Sequence, residues 1–150
     1  MTFKLSQRSL DRLEGVNEAL VVVVKEAIKL SRIDFGVIEG LRTEETQRRY
    51  VDLGKSQTMT SKHLTGHAVD LMAYIDGQAC WELNVYDDIA DAIKAAAISN
   101  GVSIRWGAAW NIPDIREWSD RMADAMNHYI DTRRSENRRP FIDAPHFELS

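Results

Sequence analysis

The chain reads as an α+β domain, a small antiparallel sheet with helices packed on one of its faces. Two observations predict the sheet and one the helices. Ala68 to Ile75 alternates so that Ala68, Asp70 and Met72 share one face and Val69, Leu71 and Ala73 the other. Asp143 to Leu149 repeats the pattern, with Phe147 and Leu149 turned to a core and His146 and Glu148 turned away. Two longer stretches, Asn17 to Ser31 and about Leu83 to Asn100, space their apolar residues as helices do.

Taken in order, Ser6 is placed to cap a short helix that runs to about Glu14 and ends at Gly15. The Asn17 to Ser31 helix buries Leu20, Val23, Val24, Ala27, Ile28 and Leu30. Val21 to Val24 is β-branched and strand-like, but Glu18, Lys25, Glu26 and Lys29 keep helical register. Phe35 to Glu39 forms a strand, Gly40-Leu41-Arg42 leaves it, and Thr43 caps a helix from Glu44. Gly54 to Thr60 is a polar loop leading into Ser61. Asp76-Gly77 makes a tight turn out of the Ala68 strand. The next helix, with Val85, Ile89, Ala92, Ile93 and Ala96 on its buried face, stops at Asn100-Gly101, and Ser103 to Trp106 resumes a strand. Pro113 and Asp114 introduce a helix reaching about Thr132, whose stripe is Ile115, Trp118, Met122, Met126 and Tyr129. His128 lies beside that stripe and is read as structural or exposed.

Composition narrows the possibilities. With 150 residues, 44% hydrophobic and 28% charged, the chain can bury a core without a metal or disulfide staple. Cys80 has no cysteine partner and reads as a small, partly buried residue. The longest apolar run, Ala19 to Val24, is too short to span a bilayer, so no membrane anchor is expected. The first residues lack the apolar core of a secretory signal, which predicts a chain made and kept in a cytoplasm. A net charge of -4 argues against nucleic-acid binding, and the Arg133-Arg134 and Arg138-Arg139 cluster reads as a solvated loop.

The chemistry concentrates between Ser61 and Asp70. His63, His67 and Asp70 lie close together there, Gly66 permits the turn that folds His63 back towards Asp70, and small Ala68 leaves room beside the carboxylate. A catalytic zinc usually takes three nitrogen or oxygen ligands and leaves a position for water. The other histidines are His128 and His146, and His146 shares the outward parity of Asp70. His63, Asp70 and His146 are therefore the candidate ligands of one Zn2+ per chain, with His67 the alternative to His63.

Ser61-x-His63-x-x-Gly66-x-Ala68-x-Asp70, followed downstream by Asp143-x-x-His146-Phe147, resembles the zinc D-alanyl-D-alanine carboxypeptidases and dipeptidases. It is most similar to the phage endolysins of L-alanyl-D-glutamate peptidase type. Those share a start like Phe3-Lys4-Leu5-Ser6 with Arg8-Ser9-Leu10, a Gly40-Leu41-Arg42-Thr43 element and an Arg105-Trp106-Gly107 element. The likeness spans nearly the whole chain. It departs at Ala109, where the family often has aspartate.

The resemblance implies a Hedgehog/DD-peptidase-like fold and a zinc endopeptidase that cuts the L-alanyl-D-glutamate bond of peptidoglycan and lyses the host cell. The alternatives are a D-alanyl-D-alanine carboxypeptidase and a non-catalytic zinc domain that binds wall peptide. It also implies a monomer held in the host bacterial cytoplasm and reaching the wall after holin-type permeabilisation. The chain shows no low-complexity linker and no internal repeat, so residues 1–150 are expected to form a single zinc peptidase domain without a separate wall-binding domain.

Asp143, three residues before His146, is the expected general base, as the family uses the acid at that place. Pro145 restricts the backbone between them, and Glu148 is the alternative base or a partner orienting an imidazole. The family's arginine at Arg42 lies in the cleft and acts on the substrate carbonyl; the plainer reading is a surface arginine paired with Glu44 or Glu45. Ser61 either binds substrate or orients its loop. Trp106 is the remaining expected substrate contact.

Overall fold

The computed structural model of the chain describes residues 2–150. Five strands form one sheet: β1 (Asp34–Glu39), β2 (Ala68–Ile75), β3 (Gln78–Cys80), β4 (Ile104–Trp106) and β5 (His146–Leu149). The order is β1-β2-β5-β4, every pair is antiparallel, and β3 hydrogen-bonds the far end of β2. The helices are α1 (Gln7–Arg12), α2 (Glu18–Leu30), α3 (Glu44–Asp52), α4 (Leu83–Asn100) and α5 (Met122–Ser135). None is long and apolar enough to cross a membrane.

The helices start where their caps dictate. Ser6, Asn17 and Thr43 accept hydrogen bonds from the backbone N–H groups of Ser9, Ala19 and Thr46, satisfying donors that the first helical turn leaves free. The strand alternation also survives folding. Val69, Leu71 and Ala73 of β2 and Phe147 of β5 are fully enclosed with α2 and α4 in one apolar cluster. Each such side chain contributes roughly 1.5–3 kcal/mol by leaving water, Ala less, so register is held by the core face. Ser9 of α1 accepts a hydrogen bond from Val37 N–H at 2.9 Å and ties that helix to β1.

Three features depart from the sequence reading. Val37 pairs with Leu71 but Glu39 pairs with Asp70, so Ile38 is an extra residue, a bulge that sets Glu39 opposite Asp70. The Asp76-Gly77 turn, both residues at positive φ, leads into a strand, β3, that the sequence reading left out. The expected Pro113 to Thr132 helix is broken. Ile115–Glu117 is a single 3₁₀ turn capped by Asp114, Trp118 and Arg121 have extended backbones, and α5 begins only at Met122. The ends are satisfied from outside: Asp91 of α4 accepts the Met122 N–H at 2.8 Å, and Lys94 Nζ donates to the carbonyls of Trp118 and Asp120. Exposed His128 packs against the Trp118 ring, 5.3 Å between centroids.

Asp87 of α4 is 8% exposed and one carboxylate oxygen has no partner among the described residues. Burial, reinforced by the charges of Asp88 and Asp91, pushes its pKa up to about 6. The folded state thus binds this proton more tightly than the unfolded chain, and the group's contribution to stability falls as pH rises from about 4 to about 6. Asp87→Asn should therefore stabilise the fold by roughly 1–3 kcal/mol at pH 7 and by little near pH 4. Thermal melts of both proteins across that range check this, and equal shifts at both ends would exclude it.

Candidate metal centre

Asp70 and His146 are register partners on adjacent strands, so both side chains leave the sheet on the face opposite the core. The chain reaches His63 through a 3₁₀ turn, Lys62–Thr65, capped by Ser61 and closed by Gly66 at φ 75°. A Cβ on Gly66 would stand 2.4 Å from the Gly15 carbonyl oxygen, so both the left-handed turn and this close approach require glycine. His63 Nε2 and His146 Nδ1 each lie 3.2 Å from the same oxygen, Asp70 Oδ1. His63, Asp70 and His146 offer ligand atoms within 4.8 Å of one another.

These residues fit a divalent metal ion. The 3.2 Å separations match the edge of a tetrahedron, about 3.3 Å, whose centre is about 2.0–2.1 Å from each ligand. His63 Nε2 is buried and, despite its approach to Asp70, has no aligned hydrogen-bond partner. The opposite nitrogen explains why it points inward: His63 Nδ1 donates to the Gly40 carbonyl at 2.8 Å, leaving the Nε2 lone pair for a ligand. In the same way His146 Nε2 donates to Glu148 Oε1 at 2.8 Å and turns Nδ1 to the centre. Lys62 Nζ, 3.2 Å from Glu148 Oε2, holds that carboxylate in turn.

The charges are strongly coupled. Burial alone would raise the Asp70 pKa, but the hydrogen bond from His146 and the close approach of both imidazoles hold it far below the usual carboxylate range. Burial would lower His146, yet bonds to Asp70 and Glu148 push it up to about 9 in the metal-free centre. Asp143 shifts the other way from Asp70: burial and the Asp70 charge raise it, against opposing pulls from His146, His63 and Arg42. Glu148 is lowered: burial opposes, while His146 and Lys62 outweigh it.

Around the centre lies a cleft of about 830 Å³ whose lining includes Arg42, Ser61, Asp143 and Glu148. The whole chain, residues 1–150, matches the family model described as phage L-alanyl-D-glutamate peptidase. The chain belongs to the phage L-alanyl-D-glutamate peptidase family. It is 33% identical over 115 residues to the L-alanyl-D-glutamate peptidase of Escherichia phage T5, covering 74% of this chain and 84% of that one. It is also similar to the crystal structure of the Serratia marcescens L-Ala D-Glu endopeptidase ChiX, with 36% identity and a TM-score of 0.72 over 96% of this chain and 87% of that one.

Within this family member the structure sorts the residues singled out from sequence. Arg42 is no surface residue: its side chain is 8% exposed, and it pairs with neither Glu44 nor Glu45. Its Nε donates to Glu39 Oε1 at 2.8 Å and its Nη1 to Gln47 Oε1 at 2.6 Å, while Nη2 reaches within 3.7 Å of Asp70. Ser61 accepts the His63 N–H at 3.2 Å and so orients its loop, as well as lining the cleft. His67 is apart from the cleft lining, its Nδ1 at 2.7 Å from Thr65 Oγ1.

Trp106 is a correction. It is fully buried, stacked 6.2 Å from Phe147, and its indole N–H donates to the Ala144 carbonyl at 2.7 Å, so it faces the core and not a substrate. Trp110 takes the cleft position, 5.5 Å from the His146 ring and stacked on Phe141. Ala109, where the family often has aspartate, is enclosed in the apolar core.

Sequence reasoning missed Glu39, Gln47 and Lys62. Gln47, fully buried, bonds Arg42 with its carbonyl and Ser56 Oγ with its amide at 2.9 Å, so it links the arginine to the 54–60 loop. In the sequence Gln47 is one polar residue among many on its helix, and nothing there marks it as buried. Gly107 also carries part of the centre: its N–H and C=O bond His146 and Asp143, each at 2.8 Å. A Cβ there would lie 2.2 Å from the Asp143 carbonyl oxygen and 3.0 Å from His146 Cβ. Gly107→Ala should cost about 1–3 kcal/mol of stability and weaken divalent-metal binding together. Urea unfolding and metal titration check it; unchanged metal affinity would show that Gly107 does not set the spacing.

Proposed function

We propose that this protein is a zinc endopeptidase that hydrolyses the L-alanyl-D-glutamate bond of peptidoglycan stem peptides. The observation that carries the reading is the convergence of His63 Nε2 and His146 Nδ1 on Asp70 Oδ1 inside a cleft, in a chain matched end to end by this peptidase family. Two imidazoles and one carboxylate are a donor set suited to zinc, and three protein ligands leave room for water and substrate. A zinc bound by these residues supplies Lewis acidity, acidifying a water to a pKa of about 7 and polarising the scissile carbonyl.

The remaining chemistry falls to the chain. Asp143 lines the cleft beside the ligands without joining them, and its raised pKa suits a group that must both accept and return a proton. It takes a proton from the attacking water and delivers it to the amine of D-glutamate as the C–N bond breaks. The L-alanine carboxylate and the free amine are the products. Arg42, fixed by Glu39 and Gln47, presents positive charge where the carbonyl oxygen gains electron density. Glu148 holds the His146 ring through Nε2 and is occupied by Lys62, which favours an orienting role over that of base.

Asp143→Ala should retain one zinc per chain and native circular dichroism while turnover falls about 10²–10⁴-fold. His146→Ala should lose metal and activity together. Zinc content is measured beside mass spectrometry of digested peptidoglycan, where new amino-terminal D-glutamate identifies the bond and new amino-terminal D-alanine would identify the carboxypeptidase reaction instead. Near-normal turnover by folded, zinc-loaded Asp143→Ala would exclude Asp143 as the base.

A further inference from the structure

The cleft lining contains one arginine and two lysines, and two of these three are already engaged. Arg42 is held by Glu39 and Gln47, and Lys62 by Glu148 and the Leu149 carbonyl. Lys55 differs. No carboxylate among the described residues lies within the 4.0 Å of an ion pair with it, and its Nζ stands 5.9 Å above the Tyr50 ring. Tyr50 carries Arg42 at 4.7 Å and its hydroxyl lies 3.5 Å from Glu39, so exposed Lys55 shares a ring with the arginine of the cleft while its charge stays free.

The loop that bears Lys55 is also built to hold a position. Lys55 N–H donates to the Tyr50 carbonyl at 2.8 Å, and the buried Gln47 amide holds the adjacent Ser56 hydroxyl. Other members of the polar wall, Ser56, Thr58 and Thr60, are neutral, and the lining also includes the aromatic Trp110 and Phe141. A ligand carboxylate entering this space therefore meets one uncommitted positive charge.

The proposed substrate brings such a group. Glutamate on the amine side of the cut bond has two carboxyls, and only one can continue the peptide; the other is either a free carboxylate or, where capped, a neutral amide. We propose that Lys55 is a specificity-determining residue that binds this free carboxylate of the D-glutamyl residue, so that the enzyme prefers the carboxylate form of the stem peptide over the amidated form. The inference rests on the function proposed above and adds the chemical form of the residue that follows the cut.

The test uses two synthetic stem peptides that differ only in whether the D-glutamate carboxyl that does not continue the peptide is free or amidated. They are given to the zinc-loaded wild type, Lys55→Met and Lys55→Arg, with kcat and KM measured separately. The wild type should favour the carboxylate peptide about 3- to 20-fold in kcat/KM, the range between an exposed ion pair and a charge-assisted hydrogen bond. Lys55→Met should close that gap, chiefly through a higher KM on the carboxylate peptide, and Lys55→Arg should restore most of it. An unchanged preference in Lys55→Met, an equal loss on both peptides, or no preference in the wild type would each overturn the assignment of Lys55 while leaving the peptidase reading intact. Failure of the wild type to cut either peptide at this bond would overturn the peptidase reading and this assignment with it.

Discussion

The pairing of Asp70 with His146 across β2 and β5 is the constraint on which the centre depends. Their side-chain bonds orient the rings and carboxylate, but the backbone register is what brings the two residues together. Antiparallel pairing sets two side chains opposite each other only if both strands are in register, and a slip of one residue would turn each to the other face. What forbids the slip is the opposite side of the same strands, where Val69, Leu71, Ala73 and Phe147 are fully enclosed. The apolar face thus supplies the energy, and the polar face inherits its precision. His63 is then brought to the pair by a left-handed turn at Gly66, packed so tightly against Gly15 that the loop has little freedom to move it.

Placing acids and imidazoles this close raises an electrostatic difficulty that the surroundings resolve unevenly. Asp70 stays ionised because two imidazoles face it, whereas Asp143, near enough to feel the charge of Asp70, is pushed towards its protonated form. Two carboxyls in one cleft therefore acquire opposite tendencies, one suited to holding a cation and the other to carrying a proton. Glu39 and Glu148 each face a cation of their own, Arg42 and Lys62 respectively. The negative charge of the centre is thereby divided among defined pairs.

What was legible in the sequence was periodic or capped. Alternation in Ala68 to Ile75 and Asp143 to Leu149 gave the faces of β2 and β5, hence Asp70 and His146, while Ser6, Asn17 and Thr43 marked helix starts by a local hydrogen bond. The Ile38 bulge was not legible, since an extra residue in a short strand leaves no mark until its partner is known. Nor was the break before α5. The stripe from Ile115 to Tyr129 is apolar at helical spacing whether or not the backbone is continuous, and the groups that end and restart it, Asp91 and Lys94, come from α4. Gln47 and Lys55 bear on the shape of the 54–60 loop, which follows from individual hydrogen bonds to Ser56 and Tyr50 and not from a repeating pattern.

Trp106 shows how a residue can belong to a functional signature without touching a ligand. Arg105 and Trp106 end β4, next to β5, with Gly107 just beyond, and the strand's parity turns the indole into the core. From there Trp106 Nε1 holds the carbonyl of Ala144, between Asp143 and His146, and Gly107 bonds Asp143 and His146 through its backbone. A smaller side chain at 106 would leave the Ala144 carbonyl unpaired in an apolar setting, at a cost of about 1–3 kcal/mol for the lost bond besides the cavity. The segment from Asp143 to His146 is short and Pro145 stiffens it, so displacement of its middle would move both ends. The tryptophan, with no access to the cleft, therefore bears on the spacing between Asp143 and His146 from inside the core.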